Sequence, residues 1–325
     1  MDKVVVVITT YNLDKYIAQA LDSILCQKTN FDYKIIVADD CSTDDTISIL
    51  NEYQRAYPNR IKIVLSPENI GSLRNSNRVF DGLQCEYFSF LDGDDYWIGE
   101  DRLQKQVDFM DAHPEYVLCG GNTQYLRNDR LAEVIVNQQK VGKTYTFSSM
   151  LNGTTPFVHT SALLVRNIIF NQGLPDCFKQ AENTFENCAL RGEDFRRILH
   201  LEKGPMYVMS DTLSVYRIHE KGMWQGASSA KRAIEGTISM NFYKKYFGDK
   251  YGDFFAQEFK QMYREMMKTL VVDRNLIGNY ELNVDETFLL ISLLNDIKND
   301  NGTQNSRRVF SRKIRRKLID VFLAQ

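Results

Sequence analysis

Short apolar runs alternate with helical segments through the first 92 residues, and this alternation constrains the fold more than any other feature. Residues 4–8 and 34–38 are runs rich in β-branched side chains, as strands buried on both faces require. Between them, Ile17, Leu21 and Ile24 recur at the spacing of an amphipathic helix. The pattern predicts an α/β fold built from parallel β-α-β units with right-handed crossovers.

Two more strand-like runs follow at residues 61–65 and 87–91. In open parallel sheets, ligands bind at the carboxyl ends of the strands, so the loops after these runs are where a functional site is expected. Polar residues in these loops also predict helix starts. We expect Asp14 to cap the first helix, and Ser42 with Asp45 to form a capping box before the second.

Beyond residue 120 the alternation weakens. Residues 157–165 predict one more strand, residues 181–202 predict a helix, and most of the remainder has helical character. We therefore predict two parts, an α/β catalytic domain over residues 1–225 and a helical C-terminal region over residues 226–325.

Charge is distributed unevenly along the chain. The formal net charge is only −2, but seven basic residues and one acidic residue lie in the last 25 positions. The acidic body argues against nucleic-acid binding. Residues 307–322 predict a basic amphipathic helix, which would contact an anionic membrane surface, dock on the protein body or join a second subunit of a homo-oligomer.

The six cysteines are scattered without any Cys-x-x-Cys pair, which argues against a zinc ribbon or a disulfide framework. The N-terminus leads directly into the first strand, unlike a signal peptide. The expected location is the cytoplasm, and peripheral contact of the basic segment with the inner face of the membrane is a hypothesis.

Polar and acidic residues follow every predicted strand of the first half. Three carboxylates within four residues after the fourth strand suit a hard divalent cation such as Mg²⁺ or Mn²⁺. The alternative is a solvated acidic turn before a helix, where aspartate is favoured anyway. The residues are Thr9 and Tyr11 after the first strand, Asp40 after the second, Arg74 after the third, and Asp92, Asp94 and Asp95 after the fourth.

The order and spacing of these motifs resemble family 2 of the inverting nucleotide-sugar glycosyltransferases, which have the GT-A fold. The resemblance runs from residue 3 to about residue 220 and includes Gln104, His113-Pro114-Glu115 and Arg191-Gly192-Glu193-Asp194. The family usually has Pro where Thr9 stands and Gly where Cys41 stands. Neither difference removes a contact made by a side chain.

The resemblance implies a site for a nucleoside-diphosphate sugar. Thr9 and Tyr11 match positions lining the pocket for the base, and Asp40 matches the carboxylate that accepts a hydrogen bond from a base N–H. Arg74 matches an arginine near the diphosphate, and Asp92 matches the aspartate that faces the ribose. Because uracil and thymine carry an imide N–H, a UDP-sugar is the favoured donor.

The resemblance also implies the reacting groups. Asp94 matches the aspartate that binds the metal, and His219 is a second candidate ligand. Arg217 would pair with the diphosphate. Asp194 matches the general base and Glu193 is the alternative, although acidic residues also stabilise a helix N-terminus without any catalytic role. The other histidines are expected to be packing residues; they are His113, His159 and His200.

The implied function is transfer of a sugar onto an acceptor hydroxyl during bacterial-type surface polysaccharide or glycoconjugate assembly. The acceptor would be a glycan, a lipid-linked glycan or a protein-linked glycan. One alternative is a sugar-1-phosphate nucleotidyltransferase, which shares the fold type but needs a glycine-rich N-terminal loop that this chain lacks. The other is a catalytically decayed homologue that binds glycan or acts as a scaffold.

Overall fold

The first half of the chain forms the predicted parallel sheet. The computed structural model describes residues 1–219, 222, 228–276, 290 and 292–293. Its first four strands are parallel in the order β3-β2-β1-β4. The strands are β1 (Asp2–Thr10), β2 (Tyr33–Asp39), β3 (Ile61–Leu65) and β4 (Cys85–Asp92), and the helices between them are α1 (Ile17–Leu25), α2 (Thr46–Ala56) and α3 (Ser72–Phe80).

The apolar run of β1 is continuous because both faces of this strand are covered. Successive side chains of a strand point to opposite faces. Val4 and Val6 belong to the cluster that contains the apolar face of α1. Val5 and Val7 belong to a second cluster with Phe80 of α3. This packing explains why residues 4–8 show no alternation of apolar and polar side chains.

The second half of the chain extends the sheet past β4, in the order β9-β6-β10-β5. Strand β9 is antiparallel to both β4 and β6, whereas β6 and β10 are parallel. The further strands are β5 (Tyr96–Trp97), β6 (Leu118–Arg127), β7 (Arg130–Val134), β8 (Lys143–Tyr145), β9 (Leu164–Arg166) and β10 (Met206–Ile218). The helices among them are α4 (Arg102–Ala112), α5 (Phe147–Leu151), α6 (Asp176–Glu182) and α7 (Gly192–Lys203).

Two elements predicted for this half are wrong in extent. Residues 157–165 are mostly a loop with a 3₁₀ turn, because the His159 ring caps that turn by accepting from the backbone N–H of Ser161. Residues 181–202 are interrupted after α6 and resume as a helix at α7. Asn183 and Thr184 donate to carbonyl groups at the end of α6, which favours termination of the helix.

The two predicted helix caps are also wrong. Within the described part of the chain, the N-cap side chains of α1 and α2 accept no hydrogen bond from the helix backbone. The backbone N–H of Asp14 donates to Asp44 instead. Ser42 is engaged in the loop after β2, where its hydroxyl donates to Asp39 and accepts from the backbone N–H of Asn12.

The predicted helical C-terminal region is present as α8 (Ser229–Tyr246) and α9 (Gly248–Leu276), the latter kinked at Tyr251. These helices share a core with α7. The ring of Tyr243 stacks on that of Phe195 with centroids 5.4 Å apart, and Phe247 stacks on Phe255 at 4.8 Å. The boundary near residue 225 stays a prediction.

The basic segment 307–322 lies outside the described residues, so its helix and its contacts stay predictions. In the described ranges, no helix is both long enough and apolar enough to cross a membrane. The cytoplasmic location and the homo-oligomer also stay predictions.

Helix α7 buries a histidine completely. His200 is 0% exposed, its Nδ1 lies 2.7 Å from the Arg196 carbonyl oxygen, and its ring lies beside those of Phe88 and Phe170. Burial lowers its pKa from 6.5 to about 4. As the pH falls from 6.5 to 4, His200 therefore binds a proton in the unfolded chain but stays neutral in the folded chain. This histidine stabilises the fold above pH 6.5, and that contribution is lost as the pH falls towards 4.

We expect His200→Asn to reduce the pH dependence of stability, because an asparagine can keep the donor to the carbonyl but does not titrate. Between pH 6.5 and 4 the wild-type chain should lose about 3 kcal/mol more unfolding free energy than the variant. Urea denaturation at a series of pH values measures this difference. His113→Asn, at an exposed position, is the control and should keep the wild-type slope. Equal slopes for wild type and His200→Asn would contradict the assignment.

Candidate active site

The carboxyl ends of β1, β2 and β4 meet at one edge of the sheet, as the sequence predicts. Thr10 pairs in register with Asp39 of β2, and Thr9 pairs with Asp92 of β4. The hydroxyl of Thr9 donates to the Asp92 carboxylate over 3.5 Å. The loop residues of these strands therefore surround a common cleft.

Asp40 is fixed by the backbone of the loop before α3. It is 5% exposed, and its two carboxylate oxygens accept from the N–H groups of Ile70 (2.8 Å) and Gly71 (3.0 Å). Gly71 has φ +86°, a conformation that favours glycine. Cys41 also lies in the left-handed region, with φ +66°, which explains why the related family prefers glycine there.

The acidic loop after β4 holds its carboxylates close together. Burial raises the pKa of Asp92 well above its usual value, and the charges of Asp94 and Glu193 raise it further. Burial also raises the pKa of Asp95, with added repulsion from Asp94 and Asp92. Asp95 is 1% exposed and accepts from the backbone N–H of Arg217 and the hydroxyl of Ser161. A cation in this loop would relieve the repulsion.

The end of β10 closes over this loop. Arg217 donates from Nε to the carbonyl oxygen of Asp94 at 3.0 Å, and its guanidinium lies 4.8 Å from the centre of the Tyr16 ring. His219 Nε2 lies 2.9 Å from Asp94 Oδ2, with its ring 4.7 Å from that of Tyr16. The structure therefore brings together Asp94 and His219, the two residues predicted to bind a metal.

A second group of possible metal ligands lies directly behind. Ligand atoms of Asp92, Asp95 and His159 all lie within 4.8 Å of one another. The sequence analysis assigned His159 to packing, and no signal in its irregular segment pointed to the acidic loop. Burial lowers the pKa of His159 to about 4, so its imidazole is neutral at physiological pH, the form that binds metals.

These donors fit a divalent cation. Carboxylate oxygens suit Mg²⁺ or Mn²⁺, and a neutral imidazole nitrogen beside them favours the transition metal Mn²⁺ over Mg²⁺. Asp94 and His219, whose Oδ2 and Nε2 atoms lie at the hydrogen-bond distance of 2.9 Å, would hold such an ion. Asp95 and His159 are instead engaged with Ser161, which makes Asp94 and His219 the more accessible pair.

The acidic pair at the start of α7 faces the same cleft. Asp194 Oδ1 accepts from Arg197 at 2.7 Å. Glu193 is accessible to solvent, but the protein around it and the charge of Asp194 raise its pKa. The charge of Glu193 also reaches Asp92, whose pKa it raises. The acidic loop after β4 and the acidic start of α7 are far apart in sequence, but their charges interact across one cleft.

Arg196 is a cleft residue that the sequence analysis missed. It is 5% exposed, it lies 4.5 Å from the centre of the Phe80 ring, and it helps to line a cavity that also contacts Glu193. Burial lowers its pKa to about 10, while Glu193 and Asp92 favour its charged form. Its position three residues after Glu193 on one helix face was the available signal.

Two predicted donor residues, in the part of the chain that the structure describes, make no hydrogen bond or ion pair with the acidic loop. Tyr11 is 45% exposed at the start of its loop. Arg74 donates to the carbonyl oxygen of Glu182 at the end of α6. Among the described residues, Arg74 has no hydrogen bond or ion pair with Asp92 or Asp94. The roles of Tyr11 and Arg74 in donor binding stay predictions.

Comparison with known proteins assigns the family. The model described as Glycosyl transferase family 2 matches residues 5–174, more than half of the chain. The chain belongs to glycosyl transferase family 2, and the family predicted from its motifs is confirmed.

The sequence matches to relatives cover only part of this chain and part of each relative. Uncharacterized protein Rv1520 of Mycobacterium tuberculosis (strain ATCC 25618 / H37Rv) is 29% identical over 227 residues, covering 70% of this chain and 62% of Rv1520. The poly(ribitol-phosphate) beta-N-acetylglucosaminyltransferase TarS of Staphylococcus aureus (strain Mu50 / ATCC 700699) is 28% identical over 233 residues, covering 68% of this chain and 36% of TarS. The chain thus spans less than two thirds of the length of these relatives.

Solved structures confirm the GT-A fold. S. aureus TarS 1-349 in complex with UDP-GlcNAc matches with a TM-score of 0.51 and 20% identity, covering 77% of this chain and 74% of that one. The mannosyltransferase PcManGT from Pyrobaculum calidifontis, in complex with GDP-Man and Mn²⁺, matches with a TM-score of 0.53 and 15% identity, covering 92% of this chain and 81% of that one. At these identities the likeness shows the fold alone.

We expect Asp40→Asn to weaken the loop before α3, because an amide can accept only one of the two backbone hydrogen bonds. The unfolding free energy should fall by about 1–3 kcal/mol, the range for losing a bond to a charged group. Hydrogen exchange at Ile70 or Gly71 should become faster. Asp45→Asn, at an exposed position directly before α2 and without a capping hydrogen bond from its side chain, is the control. Unchanged exchange at both amides would contradict the proposed role of Asp40 in holding this loop.

Proposed function

We propose that this family 2 enzyme transfers a sugar from a UDP-sugar to an acceptor hydroxyl, with inversion at the anomeric carbon, in the assembly of a cell-surface polysaccharide. The observation that carries the proposal is the closeness of the acidic loop after β4 to the acidic start of α7, where Glu193 raises the pKa of Asp92 and Arg197 bonds to Asp194. The relative TarS is a poly(ribitol-phosphate) beta-N-acetylglucosaminyltransferase, which supports a polymer as the acceptor.

The base pocket favours uracil. Asp40 accepts one backbone N–H on each carboxylate oxygen, and the second lone pair of each oxygen would accept a donor from the base. The imide N–H of uracil supplies such a donor, whereas the corresponding nitrogen of cytosine is an acceptor. Thr9 and Tyr11 would line the base pocket, and Asp92 would accept from the ribose. TarS in complex with UDP-GlcNAc supports this choice, although PcManGT holds GDP-Man.

The acidic loop would hold Mn²⁺ or Mg²⁺ through Asp94 and His219. A bound divalent ion supplies charge that stabilises the departing diphosphate. Arg217, now bonded to the Asp94 carbonyl and to Gln19, lies close enough to add a phosphate contact. Asp92, with Asp95 and His159 behind it, is the alternative ligand group.

Asp194 would act as the general base. Its bond to Arg197 fixes the orientation of the carboxylate and leaves a second oxygen for an acceptor hydroxyl. That oxygen takes the hydroxyl proton as the acceptor oxygen bonds to the anomeric carbon. The bond from that carbon to the diphosphate oxygen breaks on the opposite face, so the configuration inverts. Glu193 is the alternative base.

Incubation with a panel of UDP-, GDP-, CDP- and dTDP-sugars in Mn²⁺ tests the proposed function. We expect release of nucleoside diphosphate from a UDP-sugar, or less readily from a dTDP-sugar, and little from GDP- or CDP-sugars. Uracil and thymine carry the imide N–H that Asp40 would accept, whereas guanine is much larger and cytosine lacks that proton. Release from no donor would indicate a decayed homologue and contradict the proposal.

Metal dependence is measured in the same assay. Excess chelator and Asp94→Ala should each abolish release, because the diphosphate would then lie among uncompensated carboxylates. Asp108→Ala, on α4 and away from the cleft, is the matched control and should behave as wild type. Full activity in chelator would rule out the metal assignment.

Asp194→Asn should lower turnover by roughly 10²–10⁴-fold, the usual scale for one general base, with nearly unchanged affinity for UDP. Steady-state kinetics and calorimetry measure the two quantities. Asp176→Asn changes an acidic residue in the first turn of α6 and controls for the electrostatics of a helix N-terminus. Lost UDP binding in Asp194→Asn would instead place Asp194 in the donor pocket and make Glu193 the candidate base.

A further inference from the structure

An exposed aromatic ring lies beside the acidic start of α7. Phe157, just before the 3₁₀ turn Thr160–Ala162, is 52% exposed. The guanidinium of Arg197 lies 5.3 Å from the centre of its ring. The same guanidinium donates to Asp194 at 2.7 Å. Phe157, Arg197 and Asp194 therefore form a continuous row at the mouth of the cleft.

The neighbouring residues hold this ring in place. His159 meets it edge to face, with centroids 6.2 Å apart and planes at 78°. His159 is itself only 9% exposed and is hydrogen-bonded to the buried Ser161. Phe157 thus presents its open surface to solvent from a fixed support, which reduces the entropy lost when a ligand covers it.

The row combines the two kinds of contact that a sugar ring needs. The face of an aromatic ring is electron-rich and attracts the partly positive C–H groups of a pyranose. A guanidinium carries five N–H donors. Within the described residues, Arg197 uses one of them, towards Asp194, which leaves others for sugar hydroxyls. An open-chain polyol or an acyl chain offers no flat C–H face of this kind.

We propose that Phe157 and Arg197 form a subsite for a pyranose ring of the acceptor, which presents its hydroxyl to Asp194. The inference deepens the proposed function and rests on it for the role of Asp194. It commits the acceptor to a pyranose-containing glycan, as opposed to an open-chain polyol phosphate.

A purely structural role for Phe157 would be to support Arg197 through a cation–π contact. Two substitutions separate this role from stacking. Phe157→Leu keeps an apolar surface under Arg197 but removes the aromatic face, whereas Phe157→Trp enlarges that face. Tyr57→Leu, at an exposed position just after α2, is the matched control.

The probes are methyl glycosides of glucose, galactose and N-acetylglucosamine, in both anomers, and ribitol phosphate as the open-chain comparison. Methyl aglycones carry no aromatic ring that could stack by itself. Saturation-transfer NMR measures binding with the full chain and Mn²⁺, whether or not a donor turns over. In the presence of an active donor, acceleration of nucleoside diphosphate release measures transfer.

We expect saturation transfer to the ring protons of at least one pyranoside. Phe157→Leu should weaken its binding and lower kcat/KM for transfer by about tenfold relative to donor hydrolysis, and Phe157→Trp should stay within about threefold of wild type. Equal pyranoside binding by wild type and Phe157→Leu would overturn the inference. So would binding of ribitol phosphate alone, or of none of the probes. If no donor is hydrolysed, the proposed function fails, while the NMR titration still decides the subsite.

Discussion

Repulsion between carboxylates in one cleft is the constraint on which the rest of the site depends. The acidic loop after β4 contributes three of them and the start of α7 contributes two. Burial, together with the charges of neighbouring carboxylates, raises the pKa values of Asp92, Asp95 and Glu193. Such a cluster is stable only with positive charge nearby. Arg196 and Arg197 supply part of that charge from α7, one buried against an aromatic ring and the other bonded to Asp194. The arrangement leaves room for a divalent ion to supply more.

The strands of the sheet bring these charged residues together from distant parts of the chain. Parallel pairing of β1 with β4 places Thr9 opposite Asp92, and the end of β10 brings His219 onto Asp94 from a distant part of the chain. Asp95 is the buried member of the acidic loop. Its carboxylate accepts hydrogen bonds from the backbone N–H of Arg217 in β10 and from the hydroxyl of Ser161 in the 3₁₀ turn. A single buried side chain thus joins three segments around the cleft.

The first half of the fold was predictable because its signals are local. The β-branched run of β1 records burial on both faces, and the acidic loop follows β4 directly. The contact of Asp94 with His219 followed from family resemblance. His159 was missed because its position depends on a turn that its own ring caps, and residues 181–202 were misread because Asn183 and Thr184 end α6 with side-chain bonds. Arg196 was missed although its spacing from Glu193 was visible in the sequence, because its burial beside the Phe80 ring depends on the tertiary structure.

The aromatic contact between α8 and α7 links the C-terminal helices to the acidic pair at the start of α7. The family match ends at residue 174, before the helix that carries Glu193 and Asp194. Phe195, directly after that pair, stacks on Tyr243 of α8. The part of the chain beyond the family match is therefore built into the support of the acidic pair. Exchanging C-terminal regions between homologues would therefore shift the positions of those two carboxylates, since the exchange would replace the ring that packs on Phe195.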